Sequence, residues 1–555
     1  MIDKLDADIE HLRKLFVFPE SQDRFLEFGK QILDMMYNSF KQKGGLHSSI
    51  TLDELSSLFS DISIPRDPKL LRDIFPEIQN KIAAHSVKVY SPYYIGHMTS
   101  AIPYFTILIE MIVSSLNQNQ VKIETAKAST YVERELLCWI HRLIYRKNPR
   151  FYKETIQNHR VALGNVTSDG TMANLTAMLV ARNLLFKEDG RFPGIASAGL
   201  AEAYNHYNCE KTVLLMSKRG HYSFDKIADL CGIGDNNIIK IPVENGTNKI
   251  DINVLSKELN SIEDYNKNHE KKIKILSLIG IAGTTETGNI DNLYEMNKLA
   301  KKHKTRFHVD AAWGGPVLFV EDYAHLFKGI EEADSVTFDS HKLLYLPLSM
   351  GMVLFNSEKD LQSLEHTTQY VVRRDSRDQG RFTIEGSRPF AALRPWVALK
   401  VIGSEGFRLL FEKAFTISSY FKTQIDLHSN FESLNEPELF IFNYRFIPNR
   451  IKKHLESLMA EKSEASLKQA TRINNELNAL NIQLHREIRN NDLSFVSRTV
   501  IESTKYSPDE IVVLRAVTIN PLTTNSIIKE IIAEHNRLGL RIFNKSWKKK
   551  FKNIT

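Results

Sequence analysis

Two charged residues stand at the ends of apolar segments, 32 positions apart. Asp310 is the sole carboxylate in RFHVDAAWGGPVLF, residues 306–319. A buried carboxylate costs several kcal/mol unless a cation meets it. Lys342 follows the strand-like segment TFDSH, and partial burial is expected to lower its pKa, so that the free amine can attack a carbonyl and form a Schiff base. A lysine in such a segment would, on its own, more often be a surface residue.

A turn rich in hydroxyls precedes an amphipathic helix in VALGNVTSDGTMANLTAMLVARN. Free N–H groups at a helix N-terminus, hydroxyl donors and a glycine together can bind an anion. Ordinary N-capping by Thr or Ser explains the same pattern when the segment is taken alone. The candidate anion-binding residues are Thr167, Ser168, Gly170 and Thr171.

Two further segments end strands in residues suited to a ligand. SKRGHYSFDKIADLCGIG places His221 between a strand and a helix, and IGIAGTTETGNID ends a strand at Gly283, Thr284 and Thr285. A pyridinium cofactor with an aldehyde and a phosphate arm needs a carboxylate for its ring nitrogen, a lysine, an anion site and a flat aromatic face. The combination therefore indicates pyridoxal phosphate, whose ring accepts electrons released at a substrate's Cα.

The elements that must position these residues predict a layered α/β fold. Between about residues 160 and 355, helices alternate with TVLLMS, NIIKIPV, IKILSLIGIAGTT, RFHVDAA, SVTFDS and GMVLFN. Such alternation is typical of a mostly parallel sheet covered on both faces. We expect a helical N-terminal arm over 1–150, a cofactor-binding domain over 151–400 and a small α+β domain over 401–555. IPYFTILIEMIVSSL is predicted to be a buried helix.

Composition excludes several classes of protein. The 555 residues are 42% apolar and 25% charged, which indicates a globular chain of two or three lobes. The net charge of +7 is small, and the visible basic cluster is the terminal KSWKKKFKN, so nucleic-acid binding is not expected. Three scattered cysteines predict neither a disulfide framework nor a metal site and fit a reducing cytoplasm. No signal peptide or membrane span is predicted.

Five of these segments carry a resemblance: HVDAAWGG, DSHKLLY, TSDGTMANL, GHYSFDKIADL and GTTETGNID. From about residue 93 to 403 the chain resembles the group II pyridoxal-phosphate decarboxylases, which act on glutamate, aspartate, sulfinoalanine or aromatic amino acids. YYIGHMTSAIPYF and FTIEGSRPFAALRPWVALKVIG are most similar to bacterial enzymes that convert aspartate to β-alanine. The resemblance implies a fold type I, aspartate-aminotransferase-like architecture and a homodimer with active sites at the subunit interface.

The resemblance also implies roles for individual residues. Lys342 would bond to the cofactor's aldehyde, Asp310 would bind the pyridine nitrogen and His221 would stack on the ring. Ala312 would pack beneath the ring, and Ser340 and His341 would contact phosphate or substrate. Asp169 stands where many relatives have glycine, and because a carboxylate beside phosphate is unfavourable, we expect it to point away or to cap the helix.

Decarboxylation also needs an acid that returns a proton to Cα. Relatives use a tyrosine on a mobile loop, and the corresponding segment here, EHTTQYVVRRDSRDQGRF, contains Tyr370. Its spacing differs from that of the aromatic amino acid enzymes. Tyr370 is the predicted donor, with a route through His221 as the alternative.

Polar residues predict an acidic substrate. Arg388 in EGSRPF could bind the α-carboxylate, because a guanidinium can hold a carboxylate with two parallel hydrogen bonds, although a surface ion pair is the simpler explanation. His97, Thr99 and Ser100 could bind a side-chain carboxylate. We predict decarboxylation of aspartate to β-alanine, with glutamate (giving GABA) and cysteine sulfinate (giving hypotaurine) as alternatives because one methylene is weakly discriminated. An aminotransferase or lyase of the same fold, and an inactive binding homologue, remain open.

Overall fold

The structure is a computed structural model that describes residues 12–42, 45–368, 372–373 and 375–552. Contacts divide the chain into two compact units. The smaller unit is Met1–Ser91 with Asn490–Leu493, and the larger is Pro92–Arg489 with Ser494–Thr555. The described part of the smaller unit contains the helices α1 Phe25–Lys41, α2 Leu52–Ser57 and α3 Leu71–Glu77.

The larger unit is built on a seven-stranded sheet with the order β1-β7-β6-β5-β4-β2-β3. β2 to β6 pair in parallel, whereas β7 is antiparallel to both of its neighbours, β1 and β6. The strands are β1 Gly164–Thr167, β2 Cys209–Ser217, β3 Ile238–Ile241, β4 Lys272–Ile281, β5 Phe307–Asp310, β6 Ser335–Asp339 and β7 Gly351–Phe355.

Helices cover both faces of this sheet because its strands carry apolar side chains on both sides. In β2, Val213 and Leu215 join one buried cluster, while Leu214 and Met216 join the other. The helices up to the end of the sheet are α4 Tyr104–Leu116, α5 Ile123–Ala126, α6 Ala128–Tyr145, α7 Pro149–Thr155, α8 Gly170–Leu185, α9 Ile195–Ala198, α10 Leu200–His206, α11 Ser223–Leu230, α12 Ile252–Asn268 and α13 Leu293–Lys302.

A second, antiparallel sheet of four strands has the order β10-β11-β9-β8 and its own apolar core. Its strands are β8 Phe431–Ser433, β9 Ile441–Phe446, β10 Ser497–Ile501 and β11 Ile511–Val517. The remaining helices are α14 Leu393–Val401, α15 Gly403–Leu427, α16 Asn449–Glu461, α17 Glu464–Asn491, α18 Asn525–Ile542 and α19 Lys548–Lys552.

The predicted fold class is confirmed. All six β-rich segments predicted between residues 160 and 355 are strands of the large sheet, and the mostly parallel pairing agrees with the alternation of strands and helices. The short strands β1 and β8 were not predicted. The three-part division at residues 150 and 400 stays a prediction. In the described ranges, no helix has both the length and the apolar character needed to cross a membrane.

One predicted feature is wrong. IPYFTILIEMIVSSL does form a helix, α4, but the helix is not buried: among its residues just Thr106 and Val113 are classed as buried. Tyr104 is 77% exposed, and Leu108, Met111, Ile112 and Leu116 are each more than 40% exposed. The mean apolarity of a segment does not reveal whether the same chain supplies a surface to cover it.

Candidate active site

The chemically suited residues lie along one edge of the large sheet. β1, β2, β4, β5 and β6 run in the same direction and end at this edge, while β7 begins there at Gly351. Segments that follow separate strands therefore meet where parallel sheets ordinarily bind ligands.

A cavity of about 230 Å³ opens at this edge. Nine of its lining residues are ones that the sequence indicated as suited to a ligand: Gly170, Thr171, His221, Gly283, Thr285, Asp310, Ala312, His341 and Lys342. The prediction assigned no binding role to four other lining residues that prove important below: Asp169, Asn174, Arg219 and Asp339.

Asp310, the last residue of β5, is buried and accepts hydrogen bonds from both sides. Its Oδ2 lies 3.0 Å from Asn174 Nδ2 of α8, and its Oδ1 lies 3.1 Å from the backbone nitrogen of Ala312. Asn174 presents its amide N–H₂ to Asp310 because its Oδ1 is already occupied. That oxygen accepts a hydrogen bond from Thr337 Oγ1 at 2.5 Å and lies 3.0 Å from His308 Nε2.

His308 extends this chain of donors into the core. Because Asn174 Oδ1 can only accept, Nε2 of His308 must carry the proton, and Nδ1 accepts from Ser335 Oγ at 2.8 Å. Burial lowers the pKa of His308 to about 4, so the ring is neutral at neutral pH. Every donor in the chain from Ser335 to Asn174 therefore points toward Asp310, so its carboxyl group is held in a fixed orientation.

Lys342 lies opposite a second carboxylate. Its Nζ is 3.0 Å from Oδ2 of Asp339, the last residue of β6. Burial lowers the pKa of Lys342, as the sequence predicted, but the charges of Asp339 and Asp310 outweigh burial and the net pKa is raised. The predicted net direction was wrong because the sequence did not reveal that two carboxylates converge on the amine.

The predicted anion turn begins α8. Asp169 caps this helix by accepting a hydrogen bond from Met172 N at 2.9 Å, which confirms the expected capping role. Thr167 Oγ1 donates to the Asp169 carbonyl, and the backbone N–H of Ser168 donates to Glu385. The first N–H groups of a helix have no intrahelical partner, so Gly170 and Thr171 are left to offer theirs to the cavity.

His221 is half-buried, and its Nδ1 lies 2.9 Å from Ser223 Oγ. Burial lowers its pKa, which favours the neutral ring, and the residue lines the cavity. His341 lines the same cavity, and its Nδ1 lies 3.0 Å from the Met350 carbonyl, to which Ser340 Oγ also donates. Thr284 is fully buried, and its Oγ1 lies 2.8 Å from Thr287 Oγ1. Its neighbour Thr285 lines the cavity.

Arg388 is engaged in a buried ion pair. Its guanidinium makes two hydrogen bonds to Glu133, of 2.7 and 2.5 Å, and a third to Gln379. Both partners of the pair are almost fully buried, and Arg388 is not among the residues that line the cavity. The predicted substrate role of Arg388 would require this bidentate pair to break.

The segment predicted to bind a side-chain carboxylate lies near the cavity. Met98 lines it, and the charges of Arg515 and Lys342 help burial to lower the pKa of His97. His97 Nδ1 is 3.0 Å from Thr99 Oγ1, while Ser100 Oγ is buried and has no hydrogen-bond partner among the described residues. Tyr370, the predicted proton donor, lies outside the described residues.

Arg515 was missed by the sequence analysis. It lies in β11, donates from Nε to the Thr285 carbonyl at 2.7 Å and from Nη1 to Ser497 Oγ at 3.0 Å. Its buried Nη2 has no partner within the described ranges, and burial lowers its pKa to about 10. A signal was present: IVVLRAV is an apolar strand with one charge, the same pattern that identified Asp310.

Arg219 adds a second guanidinium at the cavity. Its Nη2 pairs with Glu502, and its side chain is 8% exposed. Burial raises the pKa of the neighbouring Glu286, although the charges of Arg219 and Arg515 act in the opposite direction. The cavity thus combines carboxylates near Lys342 with the guanidinium of Arg219, and Arg515 contacts its lining residue Thr285; this asymmetry suits a ligand that carries both positive and negative groups.

Comparison with known proteins identifies the family. A model of the pyridoxal-dependent decarboxylase conserved domain matches residues 54–447. The chain belongs to this family. Aspartate 1-decarboxylase of Aliivibrio fischeri is 37% identical over 534 residues, 96% of this chain and 95% of the relative. Mouse cysteine sulfinic acid decarboxylase is 27% identical over 67% of this chain and 71% of its own length.

Solved structures agree in fold. The glutamate decarboxylase domain of a diaminobutyrate-pyruvate transaminase and L-2,4-diaminobutyrate decarboxylase from Vibrio parahaemolyticus has a TM-score of 0.77. It is 21% identical, and the match covers 96% of this chain and 99% of that one. The chain is therefore a pyridoxal-phosphate-dependent amino acid decarboxylase, which is a carboxy-lyase. This result favours decarboxylation over the reactions of aminotransferases and of other lyases with the same fold.

The cavity fits this cofactor. Lys342 offers an amine, Asp310 offers a carboxylate that the donor chain holds in place, and α8 offers N–H groups. A Cβ added to Gly170 would lie 2.7 Å from Asp339, so glycine keeps this part of the cavity open.

We expect Asp310→Asn to slow decarboxylation by about a thousandfold or more, because the cofactor's ring nitrogen loses the anion that keeps it protonated. Cofactor affinity should fall less. Carbon dioxide release under saturating cofactor measures the first effect, and titration of the cofactor's absorbance measures the second. Asp229→Asn, at an exposed carboxylate on α11, is the matched control. Turnover of the Asp310 variant within tenfold of wild type would contradict this assignment.

Proposed function

We propose that this enzyme removes the α-carboxylate of L-aspartate and forms β-alanine and carbon dioxide. The carrying observation is the 37% identity to an aspartate 1-decarboxylase over nearly the full length of both chains. The charged cavity supports an acidic substrate, because Arg219 lines it and Arg515 contacts the carbonyl of its lining residue Thr285. An aromatic substrate would favour apolar residues instead.

We assign the cofactor contacts to the residues at the cavity. Lys342 bonds to the cofactor's aldehyde, Asp310 holds a proton on the ring nitrogen, and His221 packs against one ring face with Ala312 on the other. The phosphate is assigned to the start of α8 and its neighbours: Thr167, Ser168, Gly170, Thr171, Thr284, Ser340 and His341. Of these, Gly170, Thr171 and His341 line the cavity. Thr284 is fully buried, and its Oγ1 accepts a hydrogen bond from the backbone nitrogen of Asn289.

When bound, pyridoxal phosphate supplies a ring that accepts the electron pair released as the Cα–carboxylate bond breaks. The chain's own residues control the rest. Asp310 would hold a proton on the ring nitrogen, and the substrate-binding groups would orient the carboxylate that leaves. Tyr370 then returns a proton to Cα, with His221, which lines the cavity, as the alternative donor.

We propose Arg515, in place of Arg388, as the group that binds a carboxylate of the substrate. Its Nη2 is unpaired within the described chain, whereas both terminal nitrogens of Arg388 are bound to Glu133. A buried guanidinium with an open donor gains more from an incoming carboxylate than one that must first break an ion pair. His97, Thr99 and Ser100 remain the proposed contacts of the second carboxylate.

Substrate choice is tested by competition. Purified enzyme is given equimolar aspartate, glutamate, cysteine sulfinate and an aromatic amino acid, and the amines are identified by mass spectrometry. We expect β-alanine to dominate. Discrimination of one methylene is typically worth about 1–3 kcal/mol, so minor GABA or hypotaurine is compatible with the proposal. Dominance of GABA, hypotaurine or an aromatic amine would refute aspartate as the substrate.

Replacement of Arg515 by Lys should raise KM for aspartate by about tenfold to a hundredfold, because the charge remains but the Nη2 donor of the planar guanidinium is lost. The cofactor's absorbance should not change. Arg498→Lys, at an exposed site on the neighbouring strand β10, is the control and should behave as wild type. An unchanged KM for Arg515→Lys, measured by initial rates, would argue against the assignment.

We further propose that two copies of the chain form a homodimer through α4. The exposed apolar residues of this helix form one surface, and α4 follows the segment whose Met98 lines the cavity. A second copy on α4 would therefore lie close to the active site. A cytoplasmic location is also proposed, supported by Cys138, Cys209 and Cys231, which are buried and unpaired.

Charge on this surface should separate the subunits. Leu108 and Ile112 lie one helical turn apart, so we expect the double change Leu108→Glu and Ile112→Glu to convert dimer to monomer, as measured by light scattering after size exclusion. Leu427→Glu, at a 78% exposed site at the end of α15, controls for the added charge. A double variant that stays dimeric would place the interface elsewhere.

A further inference from the structure

Asp339 is a buried carboxylate with one oxygen unused. Its side chain is 2% exposed, and Oδ2 lies 3.0 Å from Lys342 Nζ and 3.8 Å from His341 Nε2. Oδ1 is buried and has no hydrogen-bond partner among the described residues. A buried carboxylate oxygen without a donor is unfavourable, which suggests that a ligand completes its environment.

Two glycines make room for this carboxyl group at the start of α8. A Cβ on Gly170, the first residue of α8, would lie 2.7 Å from Oδ2, and one on Gly351 would lie 2.8 Å from Oδ1. The carboxyl group therefore packs against the backbone whose N–H groups are proposed to bind the cofactor's phosphate. A phosphate bound there comes next to Asp339.

Binding of the cofactor changes the charge around Asp339. The Lys342 amine, its nearest cation, is the group that bonds to the cofactor's aldehyde, and the phosphate arrives as an anion. Two buried anions side by side repel unless one of them takes up a proton. Burial already raises the pKa of Asp339, and Lys342 and His341 offset this in part.

We propose that Asp339 binds a proton from solvent when the cofactor binds, and that the resulting carboxyl group donates a hydrogen bond to the phosphate. The proposal rests on the proposed phosphate position at α8. Cofactor loading is then linked to protonation of Asp339, so cofactor affinity falls as pH rises. A site with Asn at this position would have a permanent donor and would lack that part of the pH dependence.

The other titratable groups near Asp339 remain when it is substituted, although Lys342 loses one of the carboxylates that raise its pKa. They lie on its own segment, on β5, at the start of α8 and after β2: Lys342, His341, Asp310, Asp169 and His221. A comparison of wild type with Asp339→Asn therefore cancels the contributions of the phosphate and of the groups other than Lys342, whose pKa Asp339 raises. Asp229→Asn, at an exposed carboxylate on α11, is the control for the loss of one carboxylate.

The test is calorimetric titration of the apoprotein with pyridoxal phosphate in buffers of different ionisation enthalpy, between pH 6.5 and 8.5. Wild type should take up about one proton more than Asp339→Asn, and its Kd should rise by up to about tenfold more per pH unit. Asp229→Asn should match wild type. Equal proton uptake by wild type and Asp339→Asn would overturn the proposal.

Infrared difference spectra of the wild type alone give an independent result, which stands even if the variant does not fold. Loading the apoprotein should produce the carbonyl band of a protonated carboxyl group, and its absence would overturn the proposal. No amino acid is present in either experiment, so an error in the substrate assignment leaves both results interpretable.

Discussion

The active site depends on holding one buried carboxylate, Asp310, in a fixed orientation at the end of β5. The structure does so by drawing donors from elements that are distant in sequence. Asn174 comes from α8, Ala312 from the turn after β5, and Thr337 and Ser335, which act through Asn174 and His308, from β6. The large sheet must therefore bring β5 beside β6, and α8 must pack across their ends, before Asp310 can function.

A second constraint is the number of carboxylates near Lys342. Asp310 and Asp339 together raise the pKa of the amine, although burial lowers it. Before the cofactor binds, the amine is therefore held as an ammonium ion in a defined place rather than as a ready nucleophile. When the phosphate of the cofactor binds, the negative charge near these carboxylates increases. The proposed protonation of Asp339 follows from this change and not from the family resemblance.

The positive side of the cavity is built separately. Arg515 comes from β11 of the small sheet and reaches the turn after β4 through the Thr285 carbonyl, while Arg219 comes from the turn after β2. Members of this family differ in substrate while they share a cofactor. Their shared chemistry requires the carboxylate and lysine at the ends of β5 and β6, whereas substrate choice can change at groups contributed from elsewhere.

The sequence by itself determined the parallel sheet, the cofactor, and the residues that end β5 and β6. These features follow from local sequence patterns. An apolar segment that ends in a charged residue can be recognised without knowing any tertiary contact. Tertiary structure decided which groups surround each charge. The sequence does not show which arginine has a partner. In the structure, Glu133 pairs with Arg388, whereas Nη2 of Arg515 has no hydrogen-bond partner among the described residues. The pKa of Lys342 and the exposure of α4 were likewise predicted wrongly, because both depend on what lies across space: two converging carboxylates in one case, and the lack of a covering surface among the described residues in the other.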